Sequence, residues 1–218
     1  MDLPNDPLAI SRGGDAGPYQ AFPDACRLGN GDIACVFYAG YGHVSLPKPG
    51  WPDGGRICLV RSRDDGRTWS VPTTVYDDGD DNRDPHIARL RDGSVLLTFF
   101  SLKPGRGGKP YEGVGVQMVR SSDDGRTWEK SARTVAPAGW YCSAPVRQLR
   151  DGTCLLGIYA EDGGESYGGV IRSEDGGRTW SAPIPIGKGQ GLPLDAETDL
   201  IEMRDGTLYA ALRSSKVH

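Results

Sequence analysis

Polar residues able to do acid–base and ionic chemistry recur at the starts of apolar runs in this chain: Asp24, Arg83, Asp84, His86, Glu197 and Asp199. A second set closes the runs that follow: Tyr41, His43, Glu161, Asp162 and Arg213. Glycoside chemistry is assembled from such parts, with one carboxyl protonating a leaving oxygen while another supports a nucleophile or activates water. Asp24, Asp84 and Glu197 are the candidate carboxyls, and Arg213, Arg83, His86, His43 and Tyr41 the candidate substrate contacts. His43 and His86 would equally serve proton abstraction in a lyase, with a tyrosine as the acid. These residues are scattered along the chain, so only a fold that returns repeatedly to one place can join them.

The elements that could do so are written as a repeat. The octapeptide Ser-x-Asp-x-Gly-x-Thr-Trp occurs three times, and the copies start 59 and 52 residues apart. They supply Ser62, Asp64, Gly66, Thr68 and Trp69, then Ser121, Asp123, Gly125, Thr127 and Trp128, then Ser173, Asp175, Gly177, Thr179 and Trp180. Each follows a short aliphatic run and reads as a hairpin tip, in which Asp accepts backbone N–H bonds and Gly takes positive φ. The Trp is large enough to anchor the returning strand on a neighbouring layer. Upstream of each copy lies another hairpin around Asn-Gly or Asp-Gly (CRLGNGDIACVFY, ARLRDGSVLLTFF, RQLRDGTCLLGIY), and a fourth, IEMRDGTLYAALR, follows. The unit is strand A, Asx-Gly turn, strand B, long loop, strand C, octapeptide turn, strand D, which predicts an all-β protein made of β-propeller blades. In such blades the A–B and C–D turns share one face. The long B–C and D–A connections share the other with the starts of the inner A strands, where function concentrates. Aligned on their turns, the A strands place Phe22, Asp84, Ser143 and Glu197 in one column, and Asp24, His86, Pro145 and Asp199 two positions later.

The bulk properties agree. The 218 residues contain 32 glycines and 16 prolines, placed between short apolar runs as many turns require. A net charge of −4 argues against a nucleic-acid or anionic-membrane partner, and no run approaches a membrane span. The opening MDLPNDPLAI lacks the basic and apolar regions of a secretory signal, so the chain as written reads as cytoplasmic; a leader ahead of it would make it extracellular or periplasmic. Five cysteines show no metal-type spacing and read as free buried thiols, although a two-residue Asn30-Gly31 loop would set Cys26 opposite Cys35. The acidic stretch Asp77 to Asp84 reads as a solvated loop, not a calcium site, and no metal or other cofactor is implied.

The octapeptide resembles the Asp-box of the sialidase (neuraminidase) superfamily, and the resemblance covers about residues 19 to 218. It implies a six-bladed propeller, of which this chain would form about three and a half blades, cut short at the C-terminus. The blades would run about 19–79, 80–138, 139–190 and, incompletely, 191–218, with residues 1–18 an extension or closing strand. AETDLIEMRDGTLYAALRS resembles the sialidase segment in which a Glu opens a strand and an Arg closes its hairpin partner. The resemblance gives Glu197 the place of the residue paired with a nucleophilic tyrosine. It gives Arg213 that of one of three arginines gripping the sialic acid carboxylate. The first blade departs from the family: QAFP aligns with its aromatic-Arg-Ile-Pro stretch, leaving Ala21 in place of an arginine, while Arg83 occupies that column one blade on. Asp24 and Asp84 are the candidates for the acid. The implied activity is an exoglycosidase hydrolysing terminal sugars, with a glycan or glycoside as partner. The box also occurs in propellers that are not sialidases, so a non-catalytic glycan- or protein-binding propeller and a polysaccharide lyase stand as alternatives.

Overall fold

The structure, a computed structural model, describes residues 8–214 except 15, 163 and 196. The described residues contain strands and turns and no helix. The first sheet runs β1 (Tyr19–Arg27), β2 (Ile33–Gly40), β3 (Arg56–Ser62) and β4 (Thr73–Tyr76) in sequence order, all antiparallel. The second repeats it with β5 (Asp81–Arg89), β6 (Val95–Pro104), β7 (Tyr111–Ser121) and β8 (Arg133–Ala136). In the third, β9 (Trp140–Tyr141) and β10 (Arg147–Gln148) both pair with β11 (Cys154–Asp162), which is followed by β12 (Glu165–Ser173) and β13 (Ile184–Ile186). A final pair, β14 (Thr198–Glu202) and β15 (Leu208–Leu212), forms a two-stranded sheet. These are the four-stranded antiparallel β-propeller blades that the repeat predicts, three complete and a fourth present as one hairpin.

The Asx-Gly turns hold three residues rather than two. Leu28 N–H donates to the Asp32 carbonyl at 2.8 Å and Gly31 N–H to the Leu28 carbonyl at 3.2 Å, with the same pattern at Leu90, Leu149 and Met203. The extra residue shifts the ladder by one, so Ala25 lies opposite Cys35 and Cys26 opposite Ala34. Cys26 and Cys35 therefore do not face each other, and all five cysteines are free.

Each octapeptide folds as the same closed turn. In the second copy, the Ser121 hydroxyl donates to Asp123 at 2.8 Å and accepts the Gly125 N–H at 2.9 Å. Asp123 in turn accepts the Thr127 N–H at 2.8 Å and the Thr127 hydroxyl at 2.6 Å. The threonine bonds hold Asp64 and Asp123 down to about 2, and Asp175 is lowered by the same donors. Trp128 packs on the core between the first two blades and Trp180 on the core between the second and third.

The turn face is also tied from blade to blade by arginines. Arg61 donates to the Asp124 carbonyl at 2.7 Å, and Arg120 to the carbonyl of Gly176, the same octapeptide position one blade on. Arg91 reaches the Leu149 and Arg150 carbonyls, and Arg150 the Met203 and Arg204 carbonyls. With Val36, Leu59, Leu97 and Phe99 filling one inter-blade core, and Leu96, Met118, Leu156 and Ile158 the next, the blades form a rigid frame for the opposite face.

Two local features shape that opposite face. Phe22 and Asp84 both sit before a proline in left-handed backbone, at φ 55 and φ 52, where β1 and β5 each slip register against their partners. A bulge at an inner-strand start re-aims the side chains around it. The acidic stretch is also not all solvated loop. Asp81, 0% exposed, opens β5 and accepts the Tyr38 hydroxyl at 2.7 Å and the Ser45 N–H at 2.9 Å. These donors offset the cost of burying a carboxylate.

Candidate functional site

The inner-strand starts bring the predicted column residues together. On β1, Asp24 accepts the N–H groups of Ala25 at 2.9 Å and Ile87 at 3.0 Å, and its third contact is His86 Nδ1 at 3.3 Å. His86 Nε2 lies 3.5 Å from Asp84, whose carboxylate also accepts the Ser143 hydroxyl from the third blade. Asp24, His86, Asp84 and Ser143 thus form one polar chain across three blades. Burial would lower the His86 pKa, but its two carboxylate neighbours outweigh that and push it up to about 9, so it is an imidazolium at neutral pH. Burial raises Asp24, but His86 and the Ile87 N–H outweigh it and leave the carboxyl lowered.

The fourth sheet adds two ion pairs. Arg147 grips Asp199 with both ends of its fork, at 3.0 and 2.5 Å. Arg213 is paired side chain to side chain with Glu197 and lies 3.8 Å from Asp195. The Arg213 N–H donates to the Glu197 carbonyl at 2.9 Å, which makes this pair the end of the β14–β15 ladder. Glu197 keeps a raised pKa, chiefly from burial and also from nearby Asp84 and Asp195, with Arg213 opposing. Its Oε2 is buried without a hydrogen-bond partner. Two glycines let β14 sit there: a Cβ on Gly157 would overlap the Thr198 carbonyl, and one on Gly168 would meet the Thr198 hydroxyl.

Asp24, His86, Ser143, Pro145, Arg147 and Asp199 line a cavity of about 480 Å³ in the channel. A neighbouring cavity of about 200 Å³ is walled by Tyr111, Tyr141, Tyr159, His43, Arg83 and Glu161. Burial, then Asp84 and Glu197, push the Tyr159 phenol far up, which ties this second cavity electrostatically to the carboxylates. A larger hollow of about 780 Å³ opens along β14 and β15 and shares Arg147 and Asp199 with the channel.

Three predicted contacts, Arg83, His43 and Tyr41, do not line the first cavity. Arg83 is 4% exposed, donates to the His43 carbonyl, lies 3.5 Å from Asp81, and is packed by Phe22, Tyr38 and Phe100. It is a buried strut that also lines the tyrosine-walled cavity. His43 Nδ1 is hydrogen-bonded with the Tyr19 hydroxyl at 3.2 Å, and its ring stands edge-on to Phe22. Tyr41 donates to the Leu46 carbonyl at 2.9 Å and carries Lys48 over its ring, holding the B–C loop in shape. Ser143, Arg147 and Tyr159 escaped prediction as site residues. Ser143 shares the column of Asp84 and could have been found by that register, whereas Arg147 and Tyr159 sit inside hairpin runs with no local signal.

A model of the BNR repeat-like domain family matches residues 53–218. A search of the curated proteins found no match. Among solved structures, a protein of unknown function from Dyadobacter fermentans superposes with a TM-score of 0.74 at 21% identity, over 94% of this chain and 64% of that one. The Hadza microbial sialidase Hz136 gives 0.71 at 20% identity, over 92% and 43%. The NanB sialidase of Streptococcus pneumoniae gives 0.71 at 14%, over 99% and 51%. At these identities the likeness is one of fold, and the chain spans between 43% and 64% of the length of these structures. With the family model covering most of its length and its three octapeptides closed as one recurring turn, this chain belongs to the BNR repeat-like domain family.

Proposed function

We propose that the chain carries the active site of a sialidase-like exoglycosidase that hydrolyses terminal sugars from glycans. The observation that carries this reading is Glu197. It is a carboxyl with a raised pKa and an unpartnered buried oxygen, set near Asp84 at the mouth of the channel. A raised carboxyl keeps its proton closer to neutrality and suits the general acid, and Asp84 suits the base or nucleophile-supporting partner. Asp24, saturated by two N–H donors and His86, holds the imidazolium in place and is a positioning residue. Arg213 orients Glu197 and borders the substrate.

The tyrosine-walled cavity also favours a second reading, a propeller that binds glycans without turning them over, since aromatic faces stack on sugars in either case. The lyase reading is weakened because His86, protonated between two carboxylates, has no lone pair with which to take a proton. The test is release of chromophore from a panel of aryl glycosides. Glu197→Gln should lower kcat by ~10²–10⁴-fold with an unchanged fold, the usual contribution of a positioned acid. Activity that survives the replacement, or silence across the panel from a folded protein, would overturn the glycosidase reading.

A further inference from the structure

We infer that the turn face holds a second binding site, one that takes a sulfate or phosphate group carried on a small ligand such as a sugar ester. A cavity of about 390 Å³ opens there, opposite the face that carries the column residues, and it falls within the roughly 300–1,000 Å³ of small-molecule sites. Three guanidinium groups line it: Arg89 of β5, Arg120 of β7 and Arg178 of the third octapeptide. Gly29 of the first blade makes room for one of them. A Cβ at Gly29 would stand 2.9 Å from the Arg89 guanidinium, whereas the next two repeats carry Arg91 and Arg150 at that position.

The repeat itself shows how this junction differs from its neighbours. Arg61, Arg120 and Arg172 stand at one position, directly before the three octapeptides. Arg61 is ion-paired at 3.1 Å with Asp32 of its blade's Asx-Gly turn, and Arg172 at 2.8 Å with Glu174, the second residue of its octapeptide. The middle blade has serine at both of those places, Ser94 and Ser122, and both serines line the cavity. Arg120 donates to the Ser94 hydroxyl at 2.6 Å and to the Gly176 carbonyl, and its Nε is buried without a hydrogen-bond partner. Burial, then the neighbouring Arg178, hold the Arg120 pKa down, so like charges meet here. Asp92 and Asp124 also line the wall, and each already accepts donors from a turn. Asp92 takes the Ser94 N–H at 2.9 Å and hydroxyl at 2.6 Å, and Asp124 takes the Gly29 N–H at 2.8 Å. The lining keeps three formal positive charges against two negative. A tetrahedral oxyanion accepts from several guanidinium and hydroxyl donors at once, which is what Arg89, Arg120, Arg178 and Ser122 offer.

The experiment is calorimetric titration of the whole chain with inorganic sulfate and phosphate, and with glucose 6-sulfate, glucose 6-phosphate and glucose. Saturable binding of an ester at least ~10-fold tighter than glucose is expected, since charge-assisted bonds carry the contact. Ser122→Glu gives Arg120 the partner that Arg172 has, and Arg178→Gln removes one guanidinium, both at exposed positions. Each should weaken the ester by at least ~10-fold and leave thermal unfolding unchanged. A preference for one ester upholds the site and identifies the group it takes. Esters that bind no better than glucose, or that bind both variants as tightly as the wild type, overturn the inference. Inorganic ions that bind where neither ester does mark an adventitious ion only, and overturn it as well. Turnover of aryl glycosides at the opposite face is measured separately, so this inference and the glycosidase reading can fail independently.

Discussion

The imidazolium of His86 makes the stability of the mouth depend on alkaline pH. His86 moves from an ordinary 6.5 to about 9 in the folded chain, because Asp24 and Asp84 favour its charged form more than burial disfavours it. At about 1.4 kcal/mol per pH unit, that rise corresponds to about 3 kcal/mol of stabilisation of the protonated, folded state. The lowered Asp24 carboxyl reports the same attraction from its other end and is not added to it. A raised pKa stabilises the fold fully below the unfolded value, so the contribution is complete under pH 6.5 and is lost as pH climbs through about 9. Arg147 and Asp199 also line this channel, but Arg147 stays charged across the window and Asp199 is already ionised. The assay is urea unfolding of the wild type and His86→Gln at intervals from about pH 6 to about pH 10, with the imidazole proton followed by NMR. The difference in unfolding free energy between the two should shrink by up to about 3 kcal/mol across the window. An imidazole midpoint near 6.5, or two stability curves that stay parallel throughout, would refute the reasoning.

Other outcomes follow from the same structure. Ser121→Ala should destabilise the chain by roughly 1–3 kcal/mol in urea unfolding, since it leaves the buried Gly125 N–H without its acceptor. Acid should loosen all three octapeptide turns together, because lowered carboxyls contribute above their unfolded pKa and lose that contribution as pH falls toward about 2. Tryptophan fluorescence, which reads Trp69, Trp128 and Trp180, would then change in the acid range and stay flat if the turns carry no such linkage. Gly157→Ala forces β14 off β11 and should cost roughly 1–3 kcal/mol, as overpacking does, while lowering any Glu197-dependent activity more than the loss of fold explains. Equal losses in the two would show that β14 does not set the position of Glu197.

Architecture could be read from the chain because it is encoded locally and repeatedly. An octapeptide whose Asp accepts its own Ser and Thr donors closes the same turn wherever it occurs. Asx-Gly between alternating apolar runs can hardly be anything but a hairpin. The two columns that hold Asp84 and Glu197, and Asp24, His86 and Asp199, could also be counted from the turns, since register in a strand follows from its starting point. What counting could not deliver was anything decided by a neighbour in another blade. A third loop residue moved Cys26 off Cys35. Tyr38 and Ser45 drew Asp81 inside, and three aromatic rings packed around the Arg83 guanidinium. Whether a charge is free or spent depends on what lies within a few ångströms across an inter-blade gap. Arg147 met Asp199 and His86 met two carboxylates only once the blades had packed. The sequence alone determined the repeat, the strand order and the candidates for the mouth, because those depend on short-range spacing. Only the tertiary structure decided which of the candidates are already paired, because burial and ion pairing are set by contacts between residues far apart in the chain.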